Sequence, residues 1–91
     1  MKKVFPSGQF KKDYKRYRNQ PKKIEALKVI IDMLINEEPI PSIFRPHMLK
    51  GNYDGCMECH ILGDFLLIWY DERNDVIELL RLGSHSELFN L

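Results

Sequence analysis

Three histidines are the residues of this chain best suited to acid–base chemistry. They are His47, His60 and His85, all in the C-terminal half of a 91-residue sequence. With an unperturbed pKa near about 6.5, imidazole can accept and donate a proton at neutral pH, and such transfers contribute about 10² to 10⁴ in rate. A single histidine is more often structural or merely exposed, so the case for a site depends on whether the fold brings the three together.

Two other side chains would complement the histidines in such a site. Arg81 lies four residues before His85, on the last predicted strand, and its guanidinium offers a fixed positive fork to a phosphate that gains charge during a reaction. The alternative interpretation of Arg81 is a surface ion pair with a carboxylate. Asp64 could orient or tune a histidine, although turns also favour aspartate for backbone reasons.

Several aromatic residues could supply faces on which unpaired bases stack. Such stacking is worth about 1 to 3 kcal/mol per base. The candidates are Tyr53, Phe65, Trp69 and Phe89. Most aromatic residues of so small a domain are expected in its core, so none of the four is assigned to a site by its type alone.

The segment Cys56-Met-Glu-Cys59-His60 has the spacing of a c-type haem attachment motif. We reject this interpretation because the sequence shows neither a signal segment nor the length for a haem pocket. The spacing also permits a zinc site, but residues 56 and 59 of a strand point to opposite faces. We therefore predict no metal and no cofactor. In the cytoplasmic location expected from the sequence, Cys56 and Cys59 would be reduced thiols.

The elements that must position these residues begin with a short strand and a basic helix. Residues 2–6 are predicted to form the strand, which ends at a Pro-Ser-Gly sequence. In residues 9–18, Phe10, Tyr14 and Tyr17 recur at spacings of four and three, which puts them on one face of a helix. The lysines take the other face.

A second helix is predicted to begin near Pro21, because proline is well tolerated in the first helical turn. Its apolar stripe keeps a 3.6-residue period for about four turns. The stripe consists of Ile24, Leu27, Ile31, Leu34 and Ile35, with Ile30 beside it. Residues 37–46 contain three prolines, which remove backbone donors, so we expect an extended loop there.

The second half of the chain predicts three consecutive antiparallel strands. Residues 56–62 and 65–70 form a hairpin around Gly63 and Asp64, and a turn at residues 71–75 leads to a third strand, residues 76–82. In that third strand, regular alternation places Val76, Glu78, Leu80 and Leu82 on one face and Ile77, Leu79 and Arg81 on the other. The tail carries Leu88, Phe89 and Leu91, which we expect to fold back onto the body.

These elements predict a single α+β domain over residues 1–91. Two N-terminal helices would cover one face of the three-stranded meander, and the first strand could join the edge of the sheet. The other face would be open for function. In so small a sheet, the strand after the loop and the strand before the tail lie close enough for the histidines to converge.

Composition is that of a folded protein with unevenly distributed charge. Hydrophobic residues make up 44% of the chain and charged residues 30%, which is too apolar for disorder. The first 28 residues contain ten Lys or Arg against Asp13 and Glu25, a net charge of +8, so the remaining residues carry −7 of the total +1. This asymmetry predicts a phosphate-attracting surface or an acidic partner, unless the lysines are only solvated helix faces.

Neither a membrane segment nor a secretory signal is predicted. The sequence has no run of about 18 apolar residues, and its start lacks the apolar stretch of a signal peptide. We therefore expect a cytoplasmic protein that does not contact a membrane.

The motifs of the C-terminal half, taken together, resemble those of a known family. They are His47-Met-Leu-Lys-Gly51, Glu58-Cys-His60, Gly63-Asp64 and Arg81-Leu-Gly-Ser-His85-Ser-Glu-Leu-Phe89. This set resembles the YafQ branch of the RelE-like bacterial toxins, the messenger-RNA-cleaving halves of type II toxin–antitoxin systems. The order of strand, two helices, loop and meander is also similar, so the resemblance extends over essentially the whole chain and implies a RelE-like fold.

The resemblance implies an activity. Members of the family are metal-independent endoribonucleases, or mRNA interferases, which enter the ribosomal A site and cut the messenger there. The substrate's 2′-hydroxyl attacks the adjacent phosphorus and leaves a 2′,3′-cyclic phosphate and a 5′-hydroxyl.

The resemblance also implies roles for individual residues. His47, His60, Asp64 and His85 match the acid, base and orienting residues, and Arg81 matches the phosphate-stabilising arginine. Which histidine is the acid and which the base is left open. The residues implied to contact substrate are Phe65, where a well-known member has Trp, together with Phe89, Glu58 and Lys50.

The partners implied are ribosome-bound messenger RNA and a cognate antitoxin, with operator DNA bound only through the antitoxin complex. Lysines of the basic helices would position the protein on ribosomal RNA phosphates without reading sequence. Two alternatives stay open: a non-catalytic module of this fold that binds RNA or an antitoxin, and a small zinc-binding domain.

Overall fold

The computed structural model of the chain describes residues 1–72 and 75–89. Its strands and helices, in chain order, are β1 (Lys3–Pro6), α1 (Gly8–Tyr17), α2 (Pro21–Ile35), β2 (His47–Met48), β3 (Met57–Leu62), β4 (Phe65–Glu72), β5 (Val76–Gly83) and α3 (His85–Phe89). Single 3₁₀ turns at Ser42–Phe44 and Gly51–Tyr53 flank β2. The predicted α+β class is confirmed.

The two long helices begin where local chemistry favours it. The Ser7 hydroxyl accepts a hydrogen bond of 3.0 Å from the backbone N–H of Phe10 and so caps α1. Pro21 occupies the first position of α2, where its missing N–H costs nothing. In α2 the buried stripe is centred on Ile30, which is fully buried, rather than on the predicted Ile31, which is half-buried.

The sheet has five strands in the order β1-β5-β4-β3-β2. β1 joins the edge as predicted and runs parallel to β5, whereas the other pairs are antiparallel. The short strand β2 lies at the opposite edge, where His47 pairs with Glu58. The sequence analysis placed His47 at the end of a loop and did not predict β2, because a strand of two residues is too short for an alternation to be visible.

The helices and one face of the sheet enclose the main core. Its members include Leu27 and Ile30 of α2 together with Phe65, Leu67 and Trp69 of β4. On the other face lies a smaller cluster of Cys56, Leu66, Ile68 and Leu88. The tail therefore folds back as predicted for Leu88 and Phe89, whereas Leu91 lies outside the described residues.

The tail forms a helix that the sequence analysis did not predict. The Ser84 hydroxyl accepts a hydrogen bond from the N–H of Glu87 at 3.2 Å, and a Glu87 carboxylate oxygen accepts one from the N–H of Ser84 at 2.8 Å. These two bonds form a capping box, whose Ser-x-x-Glu signature is present in the sequence. Its consequence is that His85 occupies a defined first turn.

The predicted alternation of the last strand is wrong at its end. Ile68 pairs with Arg81, but the next residue, Trp69, pairs with Leu79, so Leu80 is an extra residue on β5. Leu79 and Leu82 consequently both lie in the main core, while Leu80 packs against the smaller cluster. An extra residue of this kind kinks the strand and re-aims the neighbouring side chains. Here the neighbour is Arg81.

None of the helices in residues 1–72 and 75–89 is long and apolar enough to cross a membrane.

Candidate active site

The structure brings the three histidines together on the face of the sheet that carries the smaller cluster. His47 lies on edge strand β2, His60 on the adjacent β3 and His85 at the start of α3. The ring centroids of His47 and His60 are 6.3 Å apart, and those of His60 and His85 are 5.3 Å apart. One small substrate group could therefore contact more than one imidazole.

Glu58 lies between two of the histidines and is 2% exposed. Its Oε1 is 3.1 Å from Nε2 of His47 and 3.8 Å from Nε2 of His60. Its Oε2 is buried and has no hydrogen-bond partner among the described residues. An unpaired buried carboxylate oxygen is costly in a folded protein. Such an oxygen marks a site where a group from outside the chain, such as a ligand, supplies the missing partner. Glu58 is therefore more central than its place among the substrate contacts suggested.

The neighbours of His47 fix the orientation of its ring. Nδ1 lies 2.7 Å from the backbone carbonyl of Arg45. Because a carbonyl only accepts, Nδ1 is the donor, and Nε2 faces the Glu58 carboxylate. His47 is thus oriented from both sides.

His60 is held in its neutral form more strongly than an exposed histidine would be. Burial lowers its pKa, Glu58 opposes that shift, and the nearby His85, Arg45 and His47 lower the pKa further. Its side chain is 23% exposed. A neutral imidazole with one edge open to solvent can accept a proton.

Asp64 orients His85 with a single carboxylate oxygen. Its Oδ1 accepts hydrogen bonds from the backbone N–H of His85 at 3.0 Å and from the ring Nδ1 at 2.7 Å. These two bonds, backbone first, lower the pKa of Asp64, so the carboxylate is ionised at neutral pH. The arrangement leaves Nε2 of His85 as the nitrogen available to a substrate. The prediction that Asp64 would lie beside a histidine agrees with this geometry.

Arg81 is held by a carboxylate that the sequence analysis did not assign to the site. Its Nε donates to Oδ2 of Asp13 at 2.9 Å, and its Nη2 lies 3.4 Å from Oδ1. On the other side, Nη1 donates to the Tyr53 hydroxyl at 3.2 Å. An ion pair does form along one edge of the guanidinium, but its partner is a buried carboxylate, so the expected surface ion pair is wrong in its location. The Nη1 and Nη2 groups retain further N–H donors.

Asp13 is fully buried at the base of the site. Burial opposes its ionisation, but hydrogen bonds from Arg81, the N–H of Leu82, Gln9 and Arg16 outweigh that cost and lower the pKa of Asp13. A sequence signal existed, because Asp13 falls within the apolar stripe of α1, between Phe10 and Tyr17. A carboxylate inside such a stripe needs a buried cation.

A polar cavity of about 260 Å³ adjoins Arg81. Lys50, Tyr53 and Phe89 all line it, so two of the predicted substrate contacts share one cavity with the guanidinium. The Phe89 ring lies 5.8 Å from that of Tyr53 and 6.0 Å from that of His85. Phe89 therefore connects this cavity to the histidines.

Phe65 lies elsewhere, and its predicted contact with a base is contradicted by its burial. It is 1% exposed and belongs to the main core, with its ring centroid 4.7 Å from that of Tyr17. Side chains on β4 alternate, and position 65 points toward the helices rather than toward the histidines. Trp69, on the same face of β4, is also buried.

One group of side chains in the described residues could hold a metal ion. Glu58, His60 and His85 each offer a ligand atom, and these atoms lie within 4.8 Å of one another. The zinc site considered through Cys56, Cys59 and His60 is not formed, because the two cysteines belong to clusters on opposite faces of the sheet. Burial also raises the pKa of Cys59 to about 12, which disfavours the thiolate that zinc requires.

The chain is similar to proteins already characterised as toxins. A family model described as the YafQ bacterial toxin of type II toxin–antitoxin systems matches residues 2–90. The mRNA interferase toxin YafQ of Escherichia coli K12 is 33% identical over 84 residues, which are 91% of this chain and 90% of that protein. The match spans the helices as well as the site.

Solved structures show the same fold. A metal-bound toxin from Helicobacter pylori is 33% identical and superposes with a TM-score of 0.88 over 98% of this chain and 100% of that one. A chain of the DinJ–YafQ complex of Escherichia coli is 30% identical, with a TM-score of 0.85 over 98% and 99% of the two chains. The bound metal is a property of the Helicobacter pylori toxin, and the DinJ partner is a property of the Escherichia coli complex.

Proposed function

The chain belongs to the YafQ family of bacterial type II toxin–antitoxin toxins, and we propose that it is an endoribonuclease that cleaves messenger RNA on the ribosome without a metal ion. The observation that carries the proposal is the convergence of three imidazoles around Glu58. Proton transfer is the chemistry that such a group performs best at neutral pH.

The proposed reaction needs two proton transfers and no other reactant. The 2′-hydroxyl oxygen of one nucleotide bonds to the adjacent phosphorus while its proton passes to a base. The bond from phosphorus to the 5′ oxygen of the next nucleotide breaks, and an acid protonates that oxygen. The products are a 2′,3′-cyclic phosphate and a 5′-hydroxyl.

His60 is proposed as the base and His85 as the acid. Burial keeps His60 neutral and therefore able to accept the 2′ proton. The ionised Asp64 holds Nδ1 of His85 and directs Nε2 outward, so that this nitrogen can deliver a proton to the leaving oxygen. His47 and Glu58 adjoin His60 and would orient it and the attacking hydroxyl.

Arg81 is proposed to stabilise the charge that develops on the phosphoryl oxygens. Asp13 and Tyr53 hold the guanidinium in place before substrate arrives, which removes the cost of reorganising it during the reaction. Lys50 adds a second positive charge to the same cavity, and Phe89 offers a ring to a neighbouring base. Phe65 has no part in this proposal.

The partners follow from the same family membership. The basic segment formed by the first 28 residues, with a net charge of +8, is suited to ribosomal RNA phosphates. A cognate antitoxin is expected, as the YafQ of Escherichia coli forms a complex with DinJ, and operator DNA would be bound through that complex. A cytoplasmic location stays a prediction.

Metal independence is a separate part of the proposal, since Glu58, His60 and His85 could bind a divalent ion. A bound ion would occupy the imidazole nitrogens that the proton transfers need, so we expect it to inhibit. Cleavage should persist in excess chelator and fall when zinc or copper is added. Loss of activity in chelator, restored by either ion, would contradict this part.

The function itself is tested by expression in a bacterial host with messenger cleavage sites mapped. The intact protein should stop growth and cut messengers, and His60→Ala and His85→Ala should each lose the cuts. Ser86→Ala is the matched control, because Ser86 is exposed beside His85. An intact protein that makes no cuts, or two histidine variants as active as the control, would rule the assignment out.

A further inference from the structure

A second cavity, of about 470 Å³, opens beside His60. It lies between β3 and the 3₁₀ turn that precedes β2, and its walls include Ile43, Phe44, Arg45, His60, Leu62 and Gly63. It shares no lining residue with the cavity around Arg81. Arg81 lies on β5, two strands away from β3, so the cavity beside His60 is distinct from the cavity around Arg81.

The walls of this second cavity combine apolar and cationic surface. Ile43 is 80% exposed and Leu62 is 48% exposed, which leaves two large aliphatic side chains in solvent next to His60. Arg45 is exposed as well, and its guanidinium forms no ion pair within residues 1–72 and 75–89. Arg81, by contrast, is paired with Asp13.

A nucleotide suits this surface better than an acidic peptide does. The faces of bases are apolar and can pack against apolar side chains, and phosphates bind to unpaired guanidinium groups, which can donate two parallel hydrogen bonds. An RNA strand whose scissile phosphate lies among the imidazoles must also leave that site on two sides. The cavity around Arg81 accounts for one side only.

Arg45 is tied to the catalytic residues in two ways. Its backbone carbonyl accepts the hydrogen bond from Nδ1 of His47. That backbone ends the Ser42–Phe44 turn in the left-handed region, with φ of 51°, which costs a residue other than glycine about 1 kcal/mol or more. Burial is the largest cause of the lowered pKa of His60. The charge of Arg45 also lowers that pKa, so the guanidinium is within electrostatic reach of the ring.

We propose that this cavity is a second nucleotide subsite, in which Arg45 binds the phosphate next to the scissile one and Ile43 with Leu62 contacts the attached base. The inference rests on the proposed endoribonuclease function and extends it to the path of the RNA. It assigns to Arg45 a phosphate other than the one that Arg81 stabilises.

The test measures single-turnover cleavage on purified ribosomes programmed with a short messenger, at increasing concentrations of the full-length protein. At about pH 8, where His60 is neutral with or without the Arg45 charge, Arg45→Gln should raise the half-saturating concentration by about tenfold, the size of one lost charge-assisted contact, with the saturating rate changed by less than about twofold. The slope of affinity against salt should fall by about one. Because His47 is held by a backbone carbonyl, this substitution leaves that contact intact.

A neutral methylphosphonate in the messenger identifies the phosphate that Arg45 binds. Placed at one of the two phosphates flanking the cut, it should weaken the intact protein about tenfold and leave Arg45→Gln unaffected. Placed three nucleotides away, it should affect neither. Lys12→Gln removes the same charge from the basic face of α1 and should keep the full sensitivity of the intact protein.

The base contact is tested with Leu62→Ala, which should change the base preferred at the same flanking position and nowhere else. Equal sensitivity of the intact protein and Arg45→Gln to both flanking methylphosphonates would overturn the subsite, while cleavage by the intact protein would leave the proposed function standing. Absence of cleavage by the intact protein would remove the function and the subsite together.

Discussion

Arg81 and the three histidines lie on one face of the sheet, but they are held in different ways. The Arg81 guanidinium is bound by the buried Asp13 and by Tyr53, and Asp13 is itself bound by the N–H of Leu82 and by Arg16. The histidines have fewer restraints: the side chains of His47 and His85 are 47% and 42% exposed, and one oxygen of Glu58 has no described partner.

The difference separates two requirements of the proposed reaction. A group that stabilises growing charge works best when it is fixed before the reaction begins. A group that transfers protons must reach different substrate atoms and must be accessible to them. We therefore expect substitutions on the Arg81 side to affect stability as well as activity, and those among the histidines to affect activity almost alone.

The largest expected effect is on the rate at the histidine side. His85→Ala should lower the cleavage rate by about 10² or more, because it removes the proposed acid. Its free energy of unfolding should change by less than about 1 kcal/mol, since 42% of the His85 side chain is exposed and its partner Asp64 is more exposed still. Single-turnover cleavage and urea denaturation measure the two quantities. A loss of stability as large as that of an Asp13 variant would break the comparison.

Next in size is the effect of Asp13 on stability. Asp13→Asn should lower the free energy of unfolding by about 3 kcal/mol, because it removes the charge that compensates the partly buried Arg81. For a domain of this size, whose total stability is about 5 kcal/mol, much of the protein would then unfold on mild heating. Calorimetry or urea denaturation measures the loss.

Asp71→Asn is the matched control for Asp13, because Asp71 forms an ion pair with Lys2 at the surface. Its cost should stay below about 1 kcal/mol. If both substitutions cost the same, Asp13 is not the buried anchor of Arg81 that its contacts indicate.

Long periodic elements of this fold were predictable and short ones were not. The stripe from Ile24 to Leu34 spans enough turns for a 3.6-residue period to stand out, and the hairpin around Gly63 combines alternation with a turn. Strand β2 has two residues and α3 has five, so neither shows a period. The capping signature of Ser84 and Glu87 was the available evidence for α3.

The site was predictable to the extent that residue types carry chemistry. The imidazole and guanidinium groups could be recognised as candidates from their residue types. Their convergence depends on strand pairings such as that of His47 with Glu58, which the spacing of residues along the sequence does not reveal. Phe65 was misplaced because the resemblance gave a position and not the direction of its side chain. The extra residue at Leu80 could not be predicted either, because it arises from how β4 and β5 pair and leaves no pattern in the sequence of β5 alone.

A smaller effect is expected at Asp64. Asp64→Asn keeps an oxygen that can accept from His85 and removes only the charge, so cleavage should fall by about tenfold, the size of one charge-assisted interaction. The pKa of Asp64 in the folded protein is lowered from 3.8. The negative charge of Asp64 is therefore fully present above about pH 4 and is lost only as the pH falls through that lower pKa. Asp64 is therefore ionised throughout the neutral range, and the loss is measured there by single-turnover cleavage; an Asp64→Asn variant as active as the intact protein would contradict the assignment.

The smallest effect, a shift in pH dependence, tests whether the histidines act as one electrostatic group. Burial lowers the pKa of His60 and Glu58 opposes it, so Glu58→Gln should lower the pKa of His60 further. The acidic limb of cleavage, where the base becomes protonated, lies below pH 6.5 in the intact protein and should move to still lower pH in the variant. The ring protons of His60, followed by NMR, should titrate with it. A shift to higher pH would show that Glu58 does not act on His60 as a charge, and the division between a fixed cation and adjustable imidazoles would then lose its electrostatic basis.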